Sequence, residues 1–153
     1  MSALPSVRAA TVDDVADIGA IVDAAYARYL PRIGRRPAPM TVDYHQVVAH
    51  TDHAHVLVDE HVLVGVLIVV AHADHLLIEN VAVAPDAQGR GYGRTLLAHA
   101  EHIARTRGLA QMRLYTNAAM TENLTFYRLI GYQEVDRRSE DGFERVYFHK
   151  QLG

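Results

Sequence analysis

The chain has 153 residues, half of them hydrophobic, and its 15 Lys and Arg against 18 Asp and Glu give a formal net charge of −3. This length predicts a single domain over residues 1–153, and the charge provides no basic field to attract nucleic acid or an anionic membrane. The absence of cysteine excludes disulfides, thiolate metal sites and a cysteine nucleophile.

The first third of the chain predicts a strand followed by two helices. A short strand is expected near Val7, and Thr11 with Asp14 three residues later is typical of a helix start. Apolar residues then recur at helical spacing until about Leu30. Proline and glycine recur across residues 31–39 and predict a stretch without regular structure, before a second short helix over residues 42–49.

Three strands are expected next. Residues 56–58 and the apolar run 62–70 predict a strand pair that turns at Asp59 and Glu60. Because the run 62–70 is apolar at nearly every position, we expect it to be buried on both faces and to lie in the interior of the sheet. Residues 76–83 predict the third strand.

The remainder alternates helices and strands. A helix is expected to begin at Gly91 and end at Gly108, followed by a strand over 112–116 and a helix over 121–129. Two final strands, from Tyr132 and from Phe143, are expected to be joined by a turn. The order predicts an α/β protein, or α+β by some conventions.

The segment between the third strand and its helix, Gln88-Gly-Arg-Gly-Tyr-Gly-Arg94, is the most informative part of the sequence. Glycines let the backbone approach an anion closely, and a helix N-terminus directs unpaired N–H groups and a positive dipole at the same point. The segment therefore predicts a site for a phosphate-bearing cofactor.

Two familiar phosphate sites do not fit this segment. A nucleotide P-loop ends in Gly-Lys-Ser/Thr, whereas Gly93 is followed by Arg94 and Thr95. A dinucleotide fingerprint requires Gly-x-Gly-x-x-Gly at a strand end and an acidic residue about 20 positions later, where this chain has Gln111. A nucleotide-dependent oxidoreductase is therefore disfavoured.

Two motifs together resemble the GCN5-related N-acetyltransferase superfamily. Gln88, Gly91 and Gly93 match its Gln/Arg-x-x-Gly-x-Gly/Ala pattern. Further along, the segment Phe126-Tyr-Arg-Leu-Ile-Gly-Tyr132 matches its aromatic-Tyr-x-x-x-Gly-aromatic signature. With the order of elements, the resemblance extends over residues 5–150. It implies a mixed twisted sheet whose central strands, bearing residues 81–83 and 112–116, splay apart around the pantetheine arm of the cofactor.

The resemblance also implies roles for individual residues in acetyl transfer from acetyl-CoA to a primary amine. Tyr127 is expected to act as the acid that protonates the departing thiolate, and Glu79 as the base. Some family members carry the glutamate two residues earlier, where this chain has Leu77, and Asp74, His72, His75, Asp43 and His45 remain alternative bases.

Cofactor contacts are expected along the same segments. The backbone of residues 88–94 would bind the diphosphate, through Gln88, Gly89, Arg90, Gly91, Tyr92, Gly93 and Arg94, with Thr95 as a further donor. The strand residues Val81, Ala82 and Val83 would pair with the arm and supply an N–H to the carbonyl oxygen. Asn117 and Asn123 are candidates for the Asn that the family uses, although its usual position is Met120 here.

The acceptor site is expected under the first two helices. The resemblance makes Tyr26, Tyr29, Met40 and Tyr44 candidate walls, and Arg32, with Arg35 and Arg36, a candidate contact for an acidic group. A solvent-exposed loop remains the alternative for the arginines.

The expected partner is an unidentified small-molecule or peptide amine, and a homodimer is possible in this fold. A non-catalytic acyl-CoA binding or sensing module is the alternative function. Despite 10 histidines, we expect no metal, because no third convergent ligand accompanies His50, His53 and His55 or His99 and His102. The N-terminal residues lack a targeting pattern, which predicts a cytoplasmic protein.

Overall fold

A computed structural model describes residues 4–50 and 52–153. The helices are α1 (Val15–Ala27), α2 (Leu30–Ile33), α3 (Tyr44–Ala49), α4 (Tyr92–Thr106) and α5 (Thr121–Leu129). The strands are β1 (Ser6–Ala9), β2 (Ala54–Asp59), β3 (Val62–Ala71), β4 (Leu76–Val83), β5 (Gln111–Asn117), β6 (Gln133–Glu140) and β7 (Phe143–Gln151). Among the described residues, no helix is both long and apolar enough to cross a membrane.

The seven strands form one mixed sheet in the order β1-β2-β3-β4-β5-β7-β6. All neighbouring pairs are antiparallel except β4 and β5, which are parallel and are joined by α4. A parallel pair requires a crossover of this kind, and α4 packs its apolar stripe on the sheet. The predicted α/β class and mixed sheet are confirmed.

Two apolar clusters cover the two faces of the sheet. On one face, α4 and α5 bury Leu96 and Leu97 against strand residues such as Phe148. On the other face, α1 and α3 bury Ile18 and Val22. The middle of β3 is buried on both faces, which confirms the prediction made from its continuous apolar run.

A β-bulge in β4 reverses which face its side chains occupy. Opposite Ile68 and Val69 of β3 lie Asn80 and Ile78, so that Glu79 is an extra residue without a partner. Because side chains alternate along a strand, one extra residue transfers all later side chains to the other face. Ile78 therefore packs on the α4 side, whereas Ala82 packs on the α1 side.

The parallel strands β4 and β5 separate at the same point. Their pairing runs from Leu76 with Met112 to Ile78 with Leu114, and no pair follows among the described residues. The predicted splay is thus present, and it leaves the β5-facing backbone edge of Val81–Val83 without a strand partner. The bulge and the splay together form a wedge-shaped opening at the carboxyl end of β4.

Two local predictions were wrong. Residues 31–39 contain the helix α2 and a 3₁₀ turn at Ala38–Thr41, because a proline at the start of a helix gives up no intrahelical hydrogen bond. The turn between β2 and β3 is formed by Glu60 and His61, both with positive φ, rather than by Asp59 and Glu60.

Candidate active site

Two cavities meet at the wedge between β4 and β5. The larger cavity, of about 450 Å³, is lined by the glycine loop (residues 88–94), the end of β4 and α5. The smaller cavity, of about 210 Å³, lies under α1, α3 and the 3₁₀ turn. Tyr26 and Met120 line both cavities, so the two volumes adjoin at these side chains.

The glycine loop contains backbone φ angles that are unfavourable for residues other than glycine. Gly89 and Gly91 have φ angles of 84° and 83°, in the left-handed region. A Cβ at either position would meet no atom within 4 Å, so backbone conformation is what requires glycine there. Gly91 is also the N-cap of α4, and it turns the chain so that the helix begins at the mouth of the larger cavity.

Gly93 lines the larger cavity and also has a packing role that the sequence analysis did not predict. A Cβ at this position would lie 3.4 Å from Cζ of Phe126. Its hydrogen therefore lets α5 approach the first turn of α4, which brings the residue after Phe126 to the wall of the larger cavity.

The first turn of α4 presents unpaired backbone N–H groups, as expected for a helix N-terminus. Its first backbone hydrogen bond runs from the N–H of Thr95 to the carbonyl of Gly91, 3.1 Å apart, which leaves the N–H groups of residues 92–94 unused by the helix. Arg94 lines the same cavity. The Thr95 hydroxyl donates back to the Gly91 carbonyl, and neither Thr95 nor Arg90 lines the cavity.

Tyr127 lies on the wall of the larger cavity, on α5. Its ring packs against Tyr132 and Phe148, with ring centroids 5.8 Å and 5.7 Å away. Burial raises the pKa of Tyr127, and the neighbouring Tyr29 phenol raises it further. The phenol therefore keeps its proton at neutral pH, inside a cavity where a charged form would be poorly solvated.

The two asparagines lie at different cavities. Asn123 lines the larger cavity, and its Nδ2 is 3.5 Å from the Thr116 hydroxyl. Asn117 lines the smaller cavity, and its side-chain oxygen accepts the N–H of Ala119 at 2.9 Å. The Asn117 oxygen is thus already engaged by this turn, and of the two predicted asparagines only Asn123 lines the larger cavity.

A network of polar side chains crosses the smaller cavity. The Tyr26 hydroxyl donates to Oδ1 of Asn80 at 2.9 Å, and Nδ2 of Asn80 donates to the Tyr44 hydroxyl at 3.3 Å. Tyr44 in turn donates to the carbonyl of Pro39 at 2.6 Å. Burial raises the pKa of Tyr44 to about 12 and also raises the pKa of Tyr26, so both phenols remain neutral donors. Asn80 was not predicted as a site residue, because its position depends on the bulge.

Glu79 is the bulged residue of β4 and lines the smaller cavity. The alternative bases lie elsewhere. His72, Asp74 and His75 form the turn before β4, at the end of the strand remote from the glycine loop. Asp43 caps α3 by accepting the N–H of His45 at 3.0 Å. None of these five residues lines either cavity.

The arginines expected at the acceptor site are held by other partners. Arg32 pairs with Glu122 at 2.7 Å, and Arg36 lies 3.4 Å from Asp23. Arg35 stacks on Phe143, with its Cζ 3.8 Å from the ring centroid. These three side chains therefore do not line the smaller cavity.

Other walls also differ from the prediction. Tyr26 and Tyr44 line the smaller cavity as expected, whereas Tyr29 lines the larger cavity and Met40 lines neither. The backbone carbonyl of Met40 instead accepts a hydrogen bond from Arg36. Arg145 of β7, which the sequence did not single out, lines the smaller cavity.

The splayed parallel pair, the glycine loop at a helix N-terminus and the seven-stranded mixed sheet define an acyl-CoA N-acyltransferase fold. The chain belongs to the acetyltransferase (GNAT) family, whose family model matches residues 20–132. This match confirms the superfamily predicted from the two motifs.

Solved structures and curated proteins agree with this assignment. PaiA N-acetyltransferase from Thermoplasma acidophilum, solved in complex with coenzyme A, superposes with a TM-score of 0.81 at 14% identity, over 98% of this chain and 100% of that one. N-alpha-acetyltransferase 80 from Mus musculus is 43% identical over 58 residues, which are 38% of this chain and 17% of that protein. The [ribosomal protein bS18]-alanine N-acetyltransferase from Salmonella typhimurium is 35% identical over 65 residues, 42% of this chain and 44% of that one. The chain thus spans less than half the length of these two relatives.

Proposed function

We propose that the protein transfers an acetyl group from acetyl-CoA to a primary amine by direct attack. The observation that carries the proposal is the junction of the two cavities. The larger one has the free N–H groups of the first turn of α4 at one end and a phenol on its wall, and the smaller one contains a carboxylate. A thioester in the first cavity and an amine in the second would meet beside Tyr26 and Met120.

Coenzyme A fits the groups that line the larger cavity. The free N–H groups at the start of α4 and the charge of Arg94 suit a diphosphate. The unpaired edge of Val81–Val83 offers peptide N–H and C=O groups to the two amides of a pantetheine arm, in the way that a neighbouring strand would. Acetyl-CoA supplies the activated acyl group when it is bound.

Glu79 is the proposed base. An ordinary amine of pKa near 10.4 is roughly 0.04% neutral at pH 7, so removal of its proton favours attack on the thioester carbonyl. The carboxylate of Glu79 would accept this proton directly or through one water. Its place in the bulge, where β4 leaves β5, supports the role because the side chain lines the cavity assigned to the amine.

Tyr127 is the proposed acid. When the amine nitrogen forms its bond to the carbonyl carbon, an N–H of Val81–Val83 would stabilise the negative charge on the oxygen. The C–S bond then breaks, and the Tyr127 hydroxyl gives its proton to the thiolate. Burial raises the pKa of Tyr127, and the same desolvation would raise the pKa of the CoA thiol in this cavity, so a thiolate formed there would accept a proton more readily than it does in water.

The first test is binding. Titration calorimetry with acetyl-CoA and with CoA should give saturable heats, and NADH should give none. A matched pair of variants identifies the site: Gly91→Ala should weaken CoA binding, whereas Gly108→Ala, at another positive φ beyond the end of α4, should not. Absence of heat with every form of CoA for the folded protein would overturn the proposal.

The second test separates an enzyme from a binding module. An amine library with acetyl-CoA, followed by release of free thiol, should reveal amine-dependent turnover. Initial rates with both substrates varied should give intersecting double-reciprocal lines, as direct attack requires, and not parallel ones. Tight CoA binding without turnover on any amine would favour the non-catalytic alternative. Two of the relatives are named for acetylation of N-alpha groups and of an alanine of a ribosomal protein. Another, from Streptomyces lavendulae, is named for acetylation of streptothricin. The library therefore includes both peptides and small molecules.

A further inference from the structure

Two charged side chains line the smaller cavity, Glu79 and Arg145. The remaining wall is apolar or neutral, formed by residues such as Pro37, Val42 and Ile68. These two side chains are therefore the charged groups that a molecule bound in this cavity would meet. Glu79 is the proposed partner of the amine, so Arg145 is available to bind a second, anionic group on the same molecule.

The fold holds Arg145 in place from several sides. It lies opposite Asn117 in the pairing of β5 with β7, so both side chains are on the face that forms the cavity. Its Cζ is 4.7 Å from the ring centroid of Tyr115 and 5.8 Å from that of Phe143. Both rings also line the cavity. Stacking between aromatic rings fixes the plane of a guanidinium and leaves its N–H edge free to bind.

The hydrogen-bonding capacity of Arg145 is largely unused. Its side chain is 11% exposed. The nearest carboxylate oxygens, on Glu140 and Asp141, are 3.5 Å and 3.9 Å from the same nitrogen, Nη1. Across residues 4–50 and 52–153, the Arg145 guanidinium makes no hydrogen bond of ordinary length and angle, and its remaining polar neighbour is the Tyr147 hydroxyl, which Glu140 already engages. A guanidinium has five N–H donors, and leaving them without acceptors away from water is costly.

The two nearby acids do not replace a ligand. The Glu140 carboxylate accepts the hydroxyl of Tyr147 and lies 3.5 Å from Arg138. The Asp141 carboxylate is largely exposed to solvent. These long, shared contacts offset part of the charge of Arg145, and a carboxylate at hydrogen-bond distance would form the shorter, paired contacts that a guanidinium favours.

We propose that the amine acceptor carries a carboxylate, and that Arg145 binds it. This inference rests on the proposed acetyltransferase function and specifies its substrate class: a compact amino acid, or an acid of similar size with a terminal amine. β5 separates β4 from β7, so the two strands are roughly 10 Å apart or more, and the two side chains reach into the cavity from opposite sides. The amine would lie near Glu79 and the carboxylate near Arg145, with the apolar walls around the carbon chain.

The test compares acceptors that differ only in the carboxylate. The acids are L-phenylalanine, L-methionine and the straight-chain ω-amino acids from glycine to 6-aminohexanoate, each paired with its carboxamide. For the preferred chain length, the acid should exceed its amide in kcat/KM by about 10- to 100-fold, the value of a charge-assisted pair. Equal values for acids and amides across the whole series would overturn the proposal.

Variants assign the preference to Arg145. Arg145→Gln should remove the advantage of the acid, lowering kcat/KM for the acid about 10- to 100-fold more than kcat/KM for the amide, because only the acid loses a charged contact. Arg145→Lys should retain part of the advantage, since charge remains without the planar fork. Arg138→Gln is the matched control. Arg138 lies opposite Arg145 on the neighbouring strand β6, and its side chain does not line the cavity, so this variant removes a nearby cation without changing the cavity wall. Equal losses on acid and amide in Arg145→Gln would contradict a carboxylate contact.

A binding measurement separates this inference from the proposed function. N-acetyl amino acids, the products, should raise the melting temperature of the CoA-bound protein, and Arg145→Gln should abolish the rise while its CoA affinity is retained. If no amine releases thiol but this rise is seen, the proposed catalysis fails and the carboxylate site stands. If turnover is seen without a preference for acids and without this rise, the carboxylate site fails alone.

Discussion

Removal of a single hydroxyl group offers the most direct test of the mechanism, because the chain contains a matched control. Tyr127 and Tyr132 are both buried, and their rings are in edge contact 5.8 Å apart. Tyr127 lines the larger cavity, whereas the Tyr132 hydroxyl is buried without a hydrogen-bond partner among the described residues. The two Tyr→Phe variants remove the same atom from almost the same place.

The two variants should have opposite consequences. In Tyr127→Phe the ring contacts remain, so we expect the free energy of unfolding to stay within about 1 kcal/mol of the unchanged protein. The loss of a general acid should lower kcat by roughly 10- to 1000-fold. In Tyr132→Phe the loss of an unsatisfied hydroxyl should raise the free energy of unfolding by about 1 kcal/mol, and the melting temperature by about 2–4 °C, with kcat within about 2-fold.

The assay is thiol release with saturating acetyl-CoA and the best acceptor from the library, together with urea unfolding and calorimetry. The affinity for CoA should be nearly the same in the two variants, so that a difference in kcat reports the chemical step. An unchanged kcat in Tyr127→Phe would remove that residue from the mechanism. Equal losses in both variants would show that packing around the rings, rather than the proton of Tyr127, controls the rate.

Three further changes test the surrounding structure. Gly91→Ala should lower the free energy of unfolding by about 1–2 kcal/mol, because of its positive φ, whereas Gly19→Ala, in the interior of α1 with no atom near its Cβ, should raise it by about 0.5–1 kcal/mol in the same urea titration. Gly65→Ala should cost about 1–3 kcal/mol, since its Cβ would lie 2.9 Å from Cδ1 of Leu96; a neutral effect would show that the Leu96 side chain moves aside. The Arg8 guanidinium lowers the pKa of Asp14 from 3.8 to about 2. The ion pair between them therefore stabilises the folded protein above pH 4, and this contribution is lost as the pH falls toward 2. Asp14→Asn should therefore lower the free energy of unfolding by about 1–2 kcal/mol at pH 7, a value reduced to allow for solvent screening because Arg8 is half exposed. The difference in this free energy between the variant and the unchanged protein should shrink below pH 4, and a constant difference would contradict the ion pair.

Most of the fold was predictable because its strongest signals are local. The bounds of β4 and α5 agree with the predicted ranges, and the glycine loop marks the start of α4. These elements depend on residue periodicity, caps and turn glycines, which act within a few positions along the chain. The error at Pro31 was also local: its position in the first helical turn, not its presence, decides whether the helix forms.

The candidate site was less predictable because it depends on distant parts of the chain. The cluster at Arg32 and Arg35 suggested an anion site, but Glu122 and the β6–β7 turn engage these side chains in the folded protein. Arg145 reaches the smaller cavity only because β7 pairs with β5 in one particular register. A register is decided by packing across the sheet, and a single sequence contains no direct record of it.

The bulge at Glu79 has a consequence for engineering this protein. Deletion of this one residue would close the bulge and leave the rest of β4 in place, because Ile78 and Asn80 already pair with consecutive residues of β3. The amide of Asn80 would stay beside the two phenols, and the cavity would lose one carboxylate and the local bend of the strand. Glu79→Ala removes the carboxylate and keeps the extra residue, so a comparison of the two variants would separate the shape of the strand from the chemistry of its side chain.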